Sequence, residues 1–407
     1  MNKVTRLKYY IESLCIYDFE DDDVFSALYD LLCDDEEDTV ALQSCFFKEL
    51  AKSESLKRHI SRLILTNDNI FTKAACAGKV NQLSIAVINA VKSDLAKLEE
   101  IASLTAQDIL ADIDDEDIKE ILLTLPGWEV GKPLAPLDSH WDRQLDELIK
   151  YHRENGYGIY AKNIAFTWRD EEITPVNSID TIRLTDLKNY ELQRNKVIDN
   201  TESFIAGHPA NNVLLYGDRG TGKSSTVHAI LNEYWQKGLR MIEIPKSAVA
   251  DLSLIREQIA DSPMKFIIYI DDLSFDSNDT SFSELKAALE GSLSGKQPNT
   301  IIYATSNRRH LIKENFSVNK GDTMQEQLSL SDRFGLTITF LNPDKKEYLD
   351  IVEKLACDRH FEEHGVDVDK LLFKADQWAT RRGGRSPRGA KQFIDHVEGC
   401  IKRGKEW

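Results

Sequence analysis

Eight residues constrain this 407-residue chain more than any others: Gly217-Asp218-Arg219-Gly220-Thr221-Gly222-Lys223-Ser224, which fit the pattern G-x-x-x-x-G-K-[ST]. They follow the apolar run Val213-Leu214-Leu215-Tyr216, which reads as a buried strand, and a helix is expected to start on them. Backbone N–H groups cradle phosphate oxygens only where no side chain blocks the approach, so the glycines are the central requirement. Lys223 adds a point charge and Ser224 offers a hydroxyl to magnesium. The positive end of the helix then faces the anion. Residues 217–224, with Ser225 beside them, are expected to hold a nucleotide.

The length allows two or three domains, each able to bury its own core. The formal charge of −17 is uneven. Residues 1–150 hold 16 Lys+Arg against 30 Asp+Glu, a net of −14, whereas residues 151–407 carry a net of −3. Acidic clusters at Asp18–Asp23 and Asp34–Asp38 repel nucleic acid and anionic membrane surfaces, and solvated helix ends and loops have the same composition. No apolar stretch approaches the roughly 20 residues needed to cross a bilayer, and the opening M-N-K-V-T-R-L-K-Y-Y lacks the core of a signal peptide. A cytoplasmic protein with no membrane partner is expected. Six cysteines without a Cys-x-x-Cys pair indicate neither a zinc site nor a disulfide framework. The nine histidines are read as forming no His-x-x-x-His or His-Glu-x-x-His grouping, so no metalloprotease or nuclease centre is expected.

Residues 1–125 contain no proline, and apolar positions recur at helical spacing, as in Val4, Leu7, Ile11, Leu14 and in Val87, Ile88, Val91, Leu95, Leu98. That predicts an all-helical N-terminal domain. Pro126-Gly127 to Pro136 breaks helices, so 126–185 is read as a linker and pre-module segment, with a helix around Trp141–Arg153 and a turn at Gly156-Tyr157-Gly158. Across 186–342, short apolar runs alternate with helical segments, and Val213–Tyr216, Leu239–Ile244, Phe266–Ile270, Thr300–Ala304 and Leu336–Phe340 are the strand candidates. The fold class expected is α/β: a three-layer parallel sheet covered by helices on both faces. Residues 343–407 read as a C-terminal helical lid.

Further motifs agree with the phosphate loop. Phe266–Ile270 runs into Asp271-Asp272, at the sheet edge where a magnesium-associated carboxylate is needed. Asp271 is the candidate, with Ser224, for the metal. Ile301–Ala304 runs into Thr305-Ser306-Asn307, which brings an uncharged amide near the γ-phosphate, where it orients a water; an Asn stabilising its own turn is the alternative.

Together these residues resemble the AAA+ ATPases, with G-D-R-G-T-G-K-S as the Walker A loop, I-I-Y-I-D-D as Walker B and A-T-S-N as the sensor-1 strand. More narrowly, N-N-V-L-L-Y-G-D-R-G-T-G-K-S-S, D-D-L-S-F and Y-A-T-S-N-R-R-H-L resemble the bacterial group called domain of unknown function 815, over roughly residues 150–407. The AAA+ resemblance implies ATP and Mg2+ as ligands and hydrolysis as the activity. Asp272 stands where that family usually has glutamate, one carbon shorter and about 1.5 Å less in reach. It is assigned to the water, with Glu284 as a carboxylate that would assist. Arg333, in Ser331-Asp332-Arg333-Phe334, resembles the arginine finger that acts on a neighbouring subunit's site, with Arg308 and Arg309 as rivals. Arg388 resembles the sensor-2 arginine of the lid, and Tyr190, in Leu187–Arg194 with Gln193, resembles the segment that packs on adenine.

The function expected is an ATPase that remodels a protein or nucleoprotein partner bound through the N-terminal helical domain, and that forms a homo-oligomer with ATP bound. The alternatives are a slow-hydrolysing ATP-gated switch or adaptor, and a helicase-loader-like DNA-associated ATPase using the basic segment Arg381–Arg388.

Overall fold

The computed structural model describes residues 1–34, 38–53, 55–275, 281–290, 297–307 and 333–407. Its backbone separates into two units: Met1–Lys162 with Asp261–Met264, and Asn163–Ala260 with Lys265–Trp407.

The first unit is helical. Lys3–Glu12 buries Val4 and Leu7, and Ile85–Ile101 buries Val91, Leu95 and Leu98 at the spacing read from sequence, with Ile11 and Leu14 packed at the edge of the same core. Asp94, on the same long helix, is fully buried. Its Oδ2 accepts from the N–H groups of Cys15, Ile16 and Tyr17 at 2.9, 2.7 and 3.3 Å, which fixes the turn after the first helix. A charged acceptor makes each such bond worth about 1.5–3 kcal/mol. The sequence reading set 126–185 apart as one segment, whereas the backbone divides it after Lys162. Its first half is tied to the helices: Leu56 and Lys57 N–H donate to the carbonyls of Glu129 and Val130, Trp128 Nε1 donates to Leu104 O at 2.9 Å, and Trp141 is fully buried. The prolines end helices there, as their missing N–H requires, yet the chain stays packed.

The second half of that segment belongs to the sheet of the second unit. Seven strands lie in the order β2-β1-β4-β5-β6-β3-β7. They are β1 Ala165–Arg169, β2 Glu172–Pro175, β3 Val213–Gly217, β4 Leu239–Glu243, β5 Lys265–Ile270, β6 Thr300–Ser306 and β7 Leu336–Phe340. All five strands expected from sequence are present and parallel. The two unanticipated ones form an antiparallel hairpin in which Arg169 pairs with Glu172 and the two loop residues, Asp170 and Glu171, have φ of 51° and 63°. Positive φ at both positions is the I′ geometry usually signalled by Asn-Gly or Asp-Gly; Asp-Glu carries no such signal. The edge strand β2 ends on Pro175, where a missing donor costs no ladder bond.

Leu215, Met241, Ile267, Tyr269, Ile301 and Tyr303 pack with Val197 and Phe204 of helix Glu191–Ile205 and with Val227, Ile230 and Leu231 of helix Lys223–Tyr234. Leu214, Ile242, Ile268 and Ile302, pointing the other way, are equally buried. Burial on both faces explains why these strands read as continuous apolar runs and not as alternating ones. The C-terminal helices Lys345–Asp358, Val368–Arg381 and Pro387–Lys402 pack around their own core of Tyr348, Ile351, Leu371, Phe393 and Ile394. Each starts on a side-chain cap: Asp344, Asp367 and Ser386.

Candidate functional site

The phosphate loop leaves β3 at its carboxyl end. Gly217 has φ 134° and faces the backbone of β7 so closely that a Cβ would overlap Phe340 O; Asp218 N–H donates to that same carbonyl at 2.9 Å. Asp218 Oδ2 accepts from Asn342 N–H at 2.7 Å, and Thr221 Oγ1 donates to Asp218 O, so the loop is anchored at its first turn. Gly220 and Gly222 follow with φ 77° and 93°, and nothing lies within 4 Å of the position a Cβ would take at Gly222. That open face is what an incoming phosphate needs. Helix Lys223–Tyr234 starts directly after it, with Gly222 as its N-cap. Arg219 is exposed.

Lys223 Nζ donates to Gly217 O, Asp218 O and Asn307 Oδ1 at 2.9, 2.7 and 3.1 Å, three acceptors for its three protons. Burial pulls this ammonium below the ordinary lysine value, while the Asp218, Asp272 and Asp271 carboxylates pull it back. Ser224 Oγ donates to Asp271 Oδ1 at 2.8 Å, Tyr269 OH donates to the same oxygen at 2.7 Å, and Thr305 Oγ1 also donates to it. Burial by itself would raise the Asp271 carboxyl. The hydroxyls of Thr305, Tyr269 and Ser224 together outweigh it and hold the group below the usual carboxylate value. Thr305 Oγ1 in turn accepts from Asp272 N–H at 3.0 Å. Asp272 has φ 49°, a region L residues other than Asn and Asp seldom enter, and its Oδ1 accepts from Asn307 Nδ2 at 2.6 Å.

The ends of β3, β5 and β6 thus bring Lys223, Ser224, Asp271, Asp272 and Asn307 together. Thr305 and Tyr269 were missed as site residues; a hydroxyl near the end of β5, two places before Asp271, is the only sequence signal for Tyr269. Glu284 is exposed on helix Ser281–Glu290 and shares no hydrogen bond with either aspartate. Ser224 and Asp271 are two oxygen donors, and no group of three His, Cys, Asp or Glu able to hold a metal occurs among the described residues. That donor set fits magnesium, which keeps waters and takes its remaining oxygens from phosphate. His360 and His364 do stand four residues apart, contrary to the sequence reading of the histidines, but Phe361–His364 is a 3₁₀ turn and His360 Nδ1 lies 3.4 Å from Glu363.

A cavity of about 700 Å³ extends from the loop, lined by Gly220–Gly222, Ser225, Thr226, Ile182, Tyr190, Ile351 and Arg388 among others. Its walls are the loop helix, the segment before β3 and the lid. Arg388 N–H donates to Gly220 O at 3.1 Å, which joins the lid to the loop. Tyr190 is buried, its ring beside Phe340 with centroids 5.2 Å apart, and its hydroxyl donates to Leu341 O at 2.6 Å. Gln193 does not line the cavity; Arg194 does. Lys188 on one wall pairs with Asp358 on the lid at 2.6 Å.

Arg333 is not part of this cluster. It precedes β7, and β7 runs parallel to β3 with Leu336 beside Val213 and Phe340 beside Gly217, so Arg333 stands beyond the amino ends of the strands. Ser331, Asp332, Arg308 and Arg309 lie outside the described residues. Of the basic lid segment, Arg385 donates twice to Asp376, at 3.0 and 2.7 Å, and Arg382 stacks over Trp378. Arg381 is exposed.

One further grouping was not anticipated. In the first unit Ser53 Oγ is 2.9 Å from His59 Nδ1, and His59 Nε2 is 2.7 Å from Asp22 Oδ1. Arg62 Nη2 sits 2.8 Å from the same Nδ1 and donates to Ser53 Oγ, so a guanidinium occupies the lone pair that would take a serine proton. Asp22 also caps helix Asp23–Cys33 through Phe25 N–H, and the chain of bonds is a helix-end lock.

The family model described as "Protein of unknown function (DUF815)" matches residues 161–401. No curated protein matches the chain. No described helix is long and apolar enough to cross a membrane.

Proposed function

The chain belongs to the DUF815 family, and from that premise we propose that residues 163–407 are an AAA+ ATPase that binds ATP with magnesium, hydrolyses it, and uses the resulting movements to remodel a protein or nucleoprotein partner. The observation that carries this reading is the Ser224–Asp271 pair, 2.8 Å apart, beside an open glycine loop whose lysine is linked through Asn307 to Asp272. Further support comes from β6, which ends directly before Asn307 and lies between the loop strand and the aspartate strand, and from a lid whose backbone bonds to the loop.

Each residue then has a task. Lys223 exchanges its carbonyl partners for the β- and γ-phosphates, and Ser224 and Asp271 hold magnesium, which neutralises phosphate charge when bound. The attacking water gives its proton to Asp272 as its oxygen bonds to the γ-phosphorus and the bond to the bridging oxygen breaks; Asn307 orients that carboxylate and the water. The ring of Tyr190 flanks the base, and Arg388 approaches the phosphates from the lid. Arg333 serves the site of a neighbouring copy, which requires a homo-oligomer. Partner recognition is assigned to the helical first unit, in a cytoplasmic setting.

Calorimetry with MgATP tests the reading. Wild type is expected to bind and Lys223→Ala to lose binding altogether; full binding by Lys223→Ala overturns it. A slow ATP-gated switch is the second reading, favoured by Asp272 itself, which is shorter than glutamate and already engaged by Asn307. A basal rate far below about 1 s⁻¹ that no partner raises selects the switch. A DNA-associated role has less support, because Arg385 and Arg382 are already engaged within the lid.

A further inference from the structure

The wall of the cavity formed by Asp180, Thr181 and Ile182 has no sheet or helix of its own. Among the described residues, its inward hydrogen bonds come from one side chain. Asn232 Nδ2 donates to Asp180 O at 2.7 Å and to Ile182 O at 2.8 Å, using both amide protons, and within the segment Ile182 N–H donates to Asp180 Oδ1 at 3.1 Å. Asn232 lies on helix Lys223–Tyr234, whose first turn lines the same cavity with Ser225 and Thr226. Nine residues, about 13 Å of helix, separate it from Lys223.

We propose that Asn232 is a positioning residue for the nucleoside: it ties the wall at Asp180–Ile182 to the helix that starts at the phosphate loop, so that the base and sugar end of the cavity is set by the same rigid element as the phosphate end. This rests on the nucleotide reading of the loop. A helix fixes the distance between its own residues, and a wall held by two hydrogen bonds to it is ordered before the ligand arrives, which spares binding that ordering cost. A wall released from Asn232 must be ordered by the ligand. The phosphates, bound at the other end, do not touch it.

The test uses the full chain with magnesium, titrated calorimetrically with ATP and separately with inorganic tripolyphosphate, as wild type, Asn232→Ala and Asn232→Asp. Alanine keeps the helix and removes the donors; aspartate keeps the shape and sets an acceptor against two carbonyls. Both variants are expected to bind ATP about tenfold or more weakly, with tripolyphosphate affinity within twofold of wild type, and to show a raised KM for ATP at unchanged kcat. Unchanged ATP affinity in both variants overturns the proposal, as does equal weakening of both ligands, which would mean general damage to the helix. Failure of wild type to bind ATP overturns the nucleotide reading itself, and with it this assignment.

Discussion

Asn307 lies 2.6 Å from Asp272, with its Nδ2 donating to Asp272 Oδ1, while its own Oδ1 accepts from Lys223 at 3.1 Å. The two partners fix the amide's direction, since an ammonium only donates and a carboxylate only accepts. One neutral side chain therefore relays position between the loop cation and the carboxylate assigned to the water. Asn307→Ala is expected to lower ATP turnover by about 10²–10³, the usual cost of losing one preorganised donor, while ATP binding by calorimetry stays within a few-fold of wild type. Equal loss of binding and turnover would show that Asn307 only supports the loop.

Thr305 joins the two aspartates, accepting from Asp272 N–H at 3.0 Å and donating to Asp271 Oδ1. Asp271 is held below its ordinary value by these hydroxyls against the effect of burial. A carboxyl lower in the folded than in the unfolded chain contributes stability above its unfolded value, and that contribution disappears as pH falls through the folded value. Thr305→Val removes one donor to Asp271 and the hydroxyl that accepts from the Asp272 amide, at a cost of about 1–3 kcal/mol. It also raises the Asp271 carboxyl towards its unfolded value, so the loss of stability in acid is smaller and is complete at a higher pH. Denaturation midpoints of both proteins between about pH 3 and 7 check this; curves that differ only by a constant offset count against it.

The parts of the fold legible in sequence are those whose signal is local and repeated. β3, β5 and β6 are buried on both faces and announce themselves as apolar runs. The β1–β2 hairpin escaped because Asp170-Glu171 adopts positive φ without a glycine. At the site, the residues with a fixed spacing from the glycine loop or at strand ends were readable, whereas Thr305 and Tyr269 act through a register that sets Tyr269 beside Tyr303 and Ile270 beside Ala304. Asn232 and the 180–182 wall are 50 residues apart, beyond any pattern.

Gly217 is demanded by β7 and not by phosphate. Its φ of 134° is one L side chains rarely adopt, and a Cβ there would overlap the Phe340 carbonyl that accepts from Asp218 N–H. Gly217→Ala is expected to destabilise the second unit by about 2–4 kcal/mol, combining backbone strain and overpacking. Gly222→Ala, with φ 93° but open space around the Cβ, should pay the strain alone in stability and lose its larger share in phosphate binding. Chemical denaturation and calorimetry on the two variants separate these costs; a Gly217→Ala no less stable than Gly222→Ala would contradict the β7 argument.

Arg333 is separated from its own phosphate loop by the length of β7, five residues or about 16 Å of extended chain. A guanidinium at the amino edge of the sheet does not reach phosphates at the carboxyl edge of the same sheet, so direct contact of Arg333 with phosphate requires another copy. Arg333→Ala is expected to keep ATP binding and to lose about 10³-fold or more in turnover. Complementation decides the direction of action. Arg333→Ala retains the loop, and Lys223→Ala retains the arginine; each alone is inactive, but an interface between one of each contains a complete site, and only the subunit with the intact loop has to bind ATP there. A mixture of the two is therefore expected to hydrolyse ATP faster than the sum of the separate proteins, with wild-type specific activity rising with protein concentration. A mixture no faster than that sum, together with a concentration-independent wild-type rate, would remove Arg333 from the reaction.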